Sequence, residues 1–127
     1  MELYFLRHAI AVERSSDGSD SARALTRDGI EKMRIGARGI RRAGIHLDRL
    51  LTSPLVRARE TAEIVGATLD VAPETVGALA PGCNAVTLLE LLVNMPRAGS
   101  VMIVGHEPDL SGMIAELTGG GRIMMKK

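Results

Sequence analysis

Aromatic side chains are almost missing from this chain: it has one Phe, one Tyr and no Trp in 127 residues. The core must be filled by aliphatic side chains and Met, and stacking on nucleobases has little to work with. The single cysteine, Cys83, has no partner for an internal disulfide. Neither sign of charge is in excess, with 16 Lys and Arg against 15 Asp and Glu for a net +1. No global field therefore selects nucleic acid or an anionic membrane, and any anion site has to be local. No apolar run approaches the roughly 18 residues of a bilayer span. The N-terminus lacks the basic segment and apolar stretch of a signal peptide, so the expected location is cytoplasmic. Several motifs are missing as well. Gly119-Gly120-Gly121 is not followed by Lys-Ser or Lys-Thr, and Leu89 rather than Arg lies six positions after Cys83. His8, His46, His106 and Cys83 show no short ligand spacing, and His46, beside Gly44, reads as a capping or surface residue. No metal and no cofactor is expected.

What the chain does have is a hydrophobic fraction of 46%, enough for one domain over residues 1–127 to build a core without staples. Leu3-Tyr4-Phe5-Leu6 runs into Arg7-His8, the pattern of a buried parallel strand that delivers two functional groups at its carboxyl end. Ile10 to Ala24 is polar and rich in Ser, Asp and Gly, which predicts an active-site loop. Thr26 is placed to cap a helix with Ile30, Met33, Ala37 and Ile40 on its buried face, ending at Gly44. The Arg34, Arg38, Arg41 and Arg42 face of that helix reads as solvated.

A second strand, Leu47 to Thr52, leads to Ser53 as N-cap and Pro54 at the first helical position, with Ala58, Ala62, Val65 and Leu69 as the core stripe. Arg57 then falls in the first helical turn, where the helix dipole disfavours a cation by roughly 0.3–1 kcal/mol unless an anion binds there. The alternative is a surface Arg bonded to Glu60 or Glu63. Further on, Val76 to Leu79 is expected as a short strand. Ala85 to Met95 is expected as a largely buried helix through Val86, Leu88, Leu89, Leu92 and Val93, closed by Pro96. Val101 to Val104 is the clearest buried strand and ends in Gly105-His106-Glu107-Pro108. A helix with Leu110, Met113, Ile114 and Leu117 follows, stopped at Gly119-Gly120-Gly121, and Arg122 to Lys127 could start an edge strand.

This alternation predicts an α/β fold: a single three-layer domain with a mainly parallel sheet flanked by helices. Ligands in such sheets sit beyond the carboxyl ends of strands. Arg7, His8, Arg57 and His106 all lie near such ends, from three separate strands. Two guanidiniums and two imidazoles around one point suit a phosphoryl group, since Arg forks match its oxygens and a neutral imidazole can attack phosphorus.

Four motifs occur in order: Leu6-Arg7-His8-Ala9, Leu25-Thr26-Arg27-Asp28-Gly29, Ser53 to Ala62 and Val104-Gly105-His106-Glu107-Pro108-Asp109-Leu110. Together they resemble the phosphoglycerate mutase-like histidine phosphatase superfamily, and more narrowly its SixA-type phosphohistidine phosphatases. The resemblance implies that His8 is the nucleophile that becomes phosphohistidine, Arg7 and Arg57 the phosphate clamp, and His106 the second pocket histidine. Arg23 matches a basic position that helps hold substrate. Two features depart from the family pattern. Ala9 stands where Gly is commonest, and relatives usually continue past the Gly-Gly-Gly turn, which implies a chain shortened at its C-terminus and an unpaired edge.

On that resemblance the expected function is metal-independent hydrolysis of the N–P bond of phosphohistidine, with the other His8 nitrogen held by a backbone carbonyl. Superfamily members that cleave alkyl esters supply a carboxylic acid to the leaving group, and Leu79-Ala80-Pro81-Gly82, the corresponding stretch here, has none. Glu107, directly after His106, is the possible general acid of the alternative, a small acid phosphatase-like phosphomonoesterase. A non-catalytic phosphate-binding module is the further alternative, and it would have no need of His8. The expected partner is a phosphorylated protein or small phosphorylated molecule, with neither nucleic acid nor membrane. Without a lid domain the pocket should admit a phosphohistidine on a protein surface, and a loop 11–24 folded over it would count against that.

Overall fold

The computed structural model describes residues 2–15, 17–95 and 98–118. It contains β1 (Glu2–Arg7), α1 (Arg27–Arg42), β2 (Arg49–Thr52), α2 (Val56–Leu69), β3 (Pro73–Thr75), α3 (Ala85–Val93), β4 (Ser100–Gly105) and α4 (Asp109–Leu117), with 3-10 turns at Asp20–Ala22 and Gly77–Leu79. The sheet order is β1-β4-β2-β3 and every pairing is parallel. All six residues of β4 are buried, as expected of a central strand that is apolar beyond Ser100 and has a partner on each side. Its register sets Gly105 beside Arg7 and Val104 beside both Leu6 and Thr52, so three strands end at one level.

Helices cover both faces. One core layer joins Leu6, Leu50, Met102 and Val104 to Met33 and Ala37 of α1 and Ala58, Ala62 and Val65 of α2. The other joins Leu51, Val101 and Ile103 to Leu88 of α3 and Leu110 and Met113 of α4, with Cys83 packed on Met113. This is the expected three-layer α/β domain. Thr26 caps α1 by accepting from the Gly29 amide at 2.9 Å, and Arg34, Arg38, Arg41 and Arg42 face solvent. The Gly29 position has no space for a side chain, because a Cβ there would lie 2.3 Å from the Ile10 carbonyl oxygen. Among the described residues no helix is long and apolar enough to cross a membrane.

Three expectations need correction. The third strand lies at Pro73–Thr75, not Val76 to Leu79, whose last three residues form a 3-10 turn. Pro73 is tolerated because it opens an edge strand, where its missing N–H leaves no ladder bond unmade. Ser53 is not the N-cap of α2. Its amide donates to the Val104 carbonyl at 3.0 Å, extending the β2–β4 ladder one residue further, so the helix starts at Val56 after Leu55. Finally, α3 is not largely buried. Val86, Leu89 and Val93 are 61%, 47% and 80% exposed, because a nine-residue helix in an outer layer has one face on the sheet, here Ala85 and Leu88. Pro96 and residues 119–127, read as helix stops and an edge strand, lie outside the described residues.

Candidate active site

The carboxyl ends of β1, β4 and β2 deliver His8, His106 and Ser53, and the first turn of α2 adds Arg57. His8 is the residue after β1, and its amide donates to the Gly105 carbonyl at 3.2 Å, so the strand pairing itself fixes its height. The next amide, of Ala9, donates to Thr61 Oγ1 at 3.0 Å, which ties the chain after His8 to α2. Nδ1 of His8 lies 2.7 Å from the Ala9 carbonyl oxygen. A carbonyl can only accept, so Nδ1 carries the proton and Nε2 keeps its lone pair. Nε2 faces Arg57, whose Nε donates to it at 3.3 Å. The His8 and His106 rings are 5.3 Å apart between centroids, inclined at 53°.

Arg57 is 6% exposed and is not the surface residue of the alternative reading. It bonds neither Glu60 nor Glu63 but Asp20, donating from Nη1 to the backbone oxygen at 2.8 Å and from Nη2 to Oδ2 at 3.1 Å. Asp20 also accepts from Arg23 Nη1 at 2.9 Å, while Arg23 Nε donates to the Val12 carbonyl at 2.7 Å. The loop expected at Ile10 to Ala24 thus folds onto the site, which counts against a fully open pocket. Arg7, His8 and Arg23 still line a cavity of about 650 Å³ whose apolar wall includes Leu6, Met33 and Ile40.

His106 is 5% exposed. Its Nε2 sits 2.7 Å from Ser53 Oγ, and its Nδ1 is buried with no partner among the described residues. Glu107 points elsewhere. It is exposed, and its carboxylate accepts from the amide (3.0 Å) and the hydroxyl of Ser111, in the first turn of α4. His46 is exposed and precedes β2, at the end of that strand opposite Ser53. Among the described residues no group of three or more His, Cys, Asp or Glu is arranged to hold a metal ion.

Two residues of this cluster were not legible as such. Ser53 carries a Ser-Pro signature that a local helix cap explains equally well, and Asp20 lies in a stretch whose composition signals only a loop. The one available sign for Asp20 was its position three residues before Arg23.

Burial pushes the His8 pKa below its ordinary value. The Ala9 carbonyl opposes that, and the Arg57, Arg7 and Arg23 cations add to it. His106 is pushed down to about 4, by burial first and then by Arg57 and His8, against smaller opposing effects of Asp109 and Asp20. Both imidazoles are therefore neutral near pH 7. Between pH 4 and about 6.5 the unfolded chain binds a proton at residue 106 that the folded chain refuses. This part of the stability is complete above about pH 6.5 and declines as pH falls toward 4, with a slope approaching 1.4 kcal/mol per pH unit. Denaturant titrations at pH 7 and pH 5 should show it, and His106→Gln should flatten the difference. An unchanged pH dependence in that variant would mean that His106 is not the buried neutral group described.

Residues 3–80 match the family model of the histidine phosphatase superfamily (branch 1). The chain belongs to that superfamily, and it is a phosphatase. It is 40% identical over 113 residues to an uncharacterised protein of Picosynechococcus, covering 87% of this chain and 68% of the relative. It is 33% identical over 126 residues to the phosphohistidine phosphatase SixA of Escherichia coli K12, covering 94% and 76%. The structure of the protein histidine phosphatase SixA complexed with tungstate superposes with a TM-score of 0.81 at 30% identity, over 92% of this chain and 76% of that one.

Proposed function

We propose that this phosphatase hydrolyses the N–P bond of phosphohistidine through a covalent intermediate on His8. The observation that carries the reading is the state of His8: Nδ1 bound to the Ala9 carbonyl leaves the Nε2 lone pair directed at the Arg57 guanidinium. A neutral imidazole nitrogen beside a phosphate-binding fork is the arrangement that in-line attack on phosphorus requires. Nε2 forms a bond to phosphorus as the bond to the leaving imidazole nitrogen breaks; that ring, already protonated from solvent on its other nitrogen, keeps the electron pair of the broken bond and departs as neutral imidazole. Arg7 and Arg57 take up charge on the equatorial oxygens. The buried, unpartnered Nδ1 of His106 gains an oxygen to bond when a phosphoryl group enters, with Ser53 holding Nε2. Water then attacks phosphorus, the P–Nε2 bond breaks, and phosphate leaves with His8 restored.

Support for phosphohistidine rather than an alkyl ester comes from what could serve as a general acid. Leu79 to Gly82 has no carboxyl group, and Glu107 is engaged with Ser111 at the start of α4, where a carboxylate favours the helix. An alkoxide leaving group needs a proton donor worth about 10²–10⁴-fold, whereas a protonated imidazole does not. The relationship to SixA points the same way. Tungstate, with which the related SixA is complexed, is an oxyanion of the same tetrahedral shape as phosphate, which supports a phosphoryl site in this chain too. Arg23 lines the same cavity and on this reading meets the body of the substrate.

The test compares kcat/KM for a phosphohistidine peptide, an aryl phosphate and an alkyl phosphate of similar size, with wild type and Glu107→Gln. The expected order is phosphohistidine first, aryl second and alkyl last, with Glu107→Gln changing all three little and alike. Efficient alkyl-ester hydrolysis that Glu107→Gln removes selectively would favour the phosphomonoesterase.

A further inference from the structure

Asp20 makes contacts that the chemistry above leaves unused. Its carboxylate bridges two guanidiniums, Oδ1 to Arg23 at 2.9 Å and Oδ2 to Arg57 at 3.1 Å, while its backbone oxygen takes a third bond from Arg57 at 2.8 Å. A guanidinium is planar and offers five N–H groups in fixed directions. Asp20 occupies one on each terminal nitrogen of Arg57, and His8 receives the Nε–H. The plane of Arg57 is thereby set from two sides, with the Nε edge turned to the nucleophile and two N–H groups left for a ligand.

We infer that Asp20 is a positioning residue for the phosphoryl transfer, holding the terminal nitrogens of Arg57 so that its Nε edge meets the phosphoryl oxygens beside His8, and locking Arg23 to the same bracket. This rests on the assignment of His8 and Arg57 proposed above. Geometry makes the bracket effective: Arg57 is buried, with few rotamers open to it, whereas the Asp20 side chain is 63% exposed and reaches in from the loop. Arg23 is pinned at its other end by the Val12 carbonyl, so the bracket also fixes where the loop runs. Asp20 itself is held ionised by its bonds to Arg23 and then Arg57, which suits it to orient cations rather than to donate a proton. The opposite role is a carboxylate that fills the phosphate site and must be displaced before substrate enters. The two roles give measurements of opposite sign.

The experiment follows wild type, Asp20→Ala and Asp20→Asn with a phosphoramidate substrate and with tungstate as competitive inhibitor. A misplaced guanidinium should lower kcat/KM of Asp20→Ala by about 10–100-fold, mainly through kcat, and weaken tungstate. Asp20→Asn keeps an oxygen for Arg57 and should recover most of the kcat lost in Asp20→Ala. Tighter tungstate and a lower KM in Asp20→Ala would overturn the inference in favour of a displaced carboxylate. Unchanged kcat and tungstate affinity per folded molecule, with only the thermal midpoint lowered, would overturn it in favour of a loop brace. Trapping the wild-type intermediate separates this result from the parent reading. If phosphohistidine forms at His8 and Asp20→Ala is neutral, only the role of Asp20 fails. If none forms, the proposed function fails first.

Discussion

His8→Ala should lower turnover of phosphohistidine by on the order of 10⁴-fold or more, while a tetrahedral oxyanion still binds. The two halves of this expectation have separate causes. In the proposed mechanism, removing the imidazole removes the atom that would accept phosphorus, and neither neighbour should replace it. His106 is bonded to Ser53 through Nε2 and its ring centroid stands 5.3 Å away, while guanidiniums are not nucleophiles at neutral pH. On the proposed reading, anion binding rests instead on Arg7, Arg57 and His106, which come from β1, α2 and the end of β4. Arg57 loses one acceptor but keeps both bonds to Asp20, so its position should hold. Calorimetric titration with tungstate should give an affinity within about tenfold of wild type, a window of about 1.4 kcal/mol. Alkaline trapping during turnover, followed by mass spectrometry, should place the phosphoryl group on residue 8 in the wild type. Label on His106 or His46 would refute the assignment.

How far the sequence disclosed this site depended on whether the deciding contact was local. His8 and His106 were legible because each lies just beyond the end of an apolar run, after Arg7 and Gly105, and a buried strand in a parallel sheet leaves little choice about where the residues that follow it lie. Arg57 was legible through a cost, a cation in the first turn of a helix, and the structure supplies its carboxylate partner rather than a bound anion. That partner, Asp20, is 37 residues away in a loop whose path follows no periodic rule. Ser53 failed in the opposite way. Its local signal was strong but lost to tertiary bonds, a ladder to Val104 and a histidine 53 residues on. In α3 the apolar positions were identified correctly, but a helix that is apolar on several faces does not announce which one meets the sheet. Packing chose Ala85 and Leu88 and left Val86, Leu89 and Val93 outside.

Arg57→Ala should reduce kcat/KM by about 10²–10³-fold, the scale on which a single charge-stabilising donor acts in a water-poor site. Arg57→Lys should recover only a fraction of that. One ammonium has no planar fork and cannot at once reach the Asp20 carbonyl, the Asp20 carboxylate and His8 Nε2. Folding should suffer less than burial of Arg57 alone suggests, because the carboxylate it leaves behind is mostly exposed and remains paired with Arg23. The pH profile gives the deciding measurement. Arg57 is among the groups that push both imidazoles down, so its removal should raise the pKa of His8 and His106. Protonated His8 has no lone pair for phosphorus, so with His8 as the proposed nucleophile kcat/KM should fall as pH drops through its pKa. The acid limb should therefore move to higher pH in Arg57→Ala and return toward wild type in Arg57→Lys, which restores charge without geometry. A kcat/KM deficit with an unmoved acid limb would mean that Arg57 acts only as a binding fork. A moved limb with little deficit at neutral pH would mean that it tunes the histidines without holding the phosphoryl group.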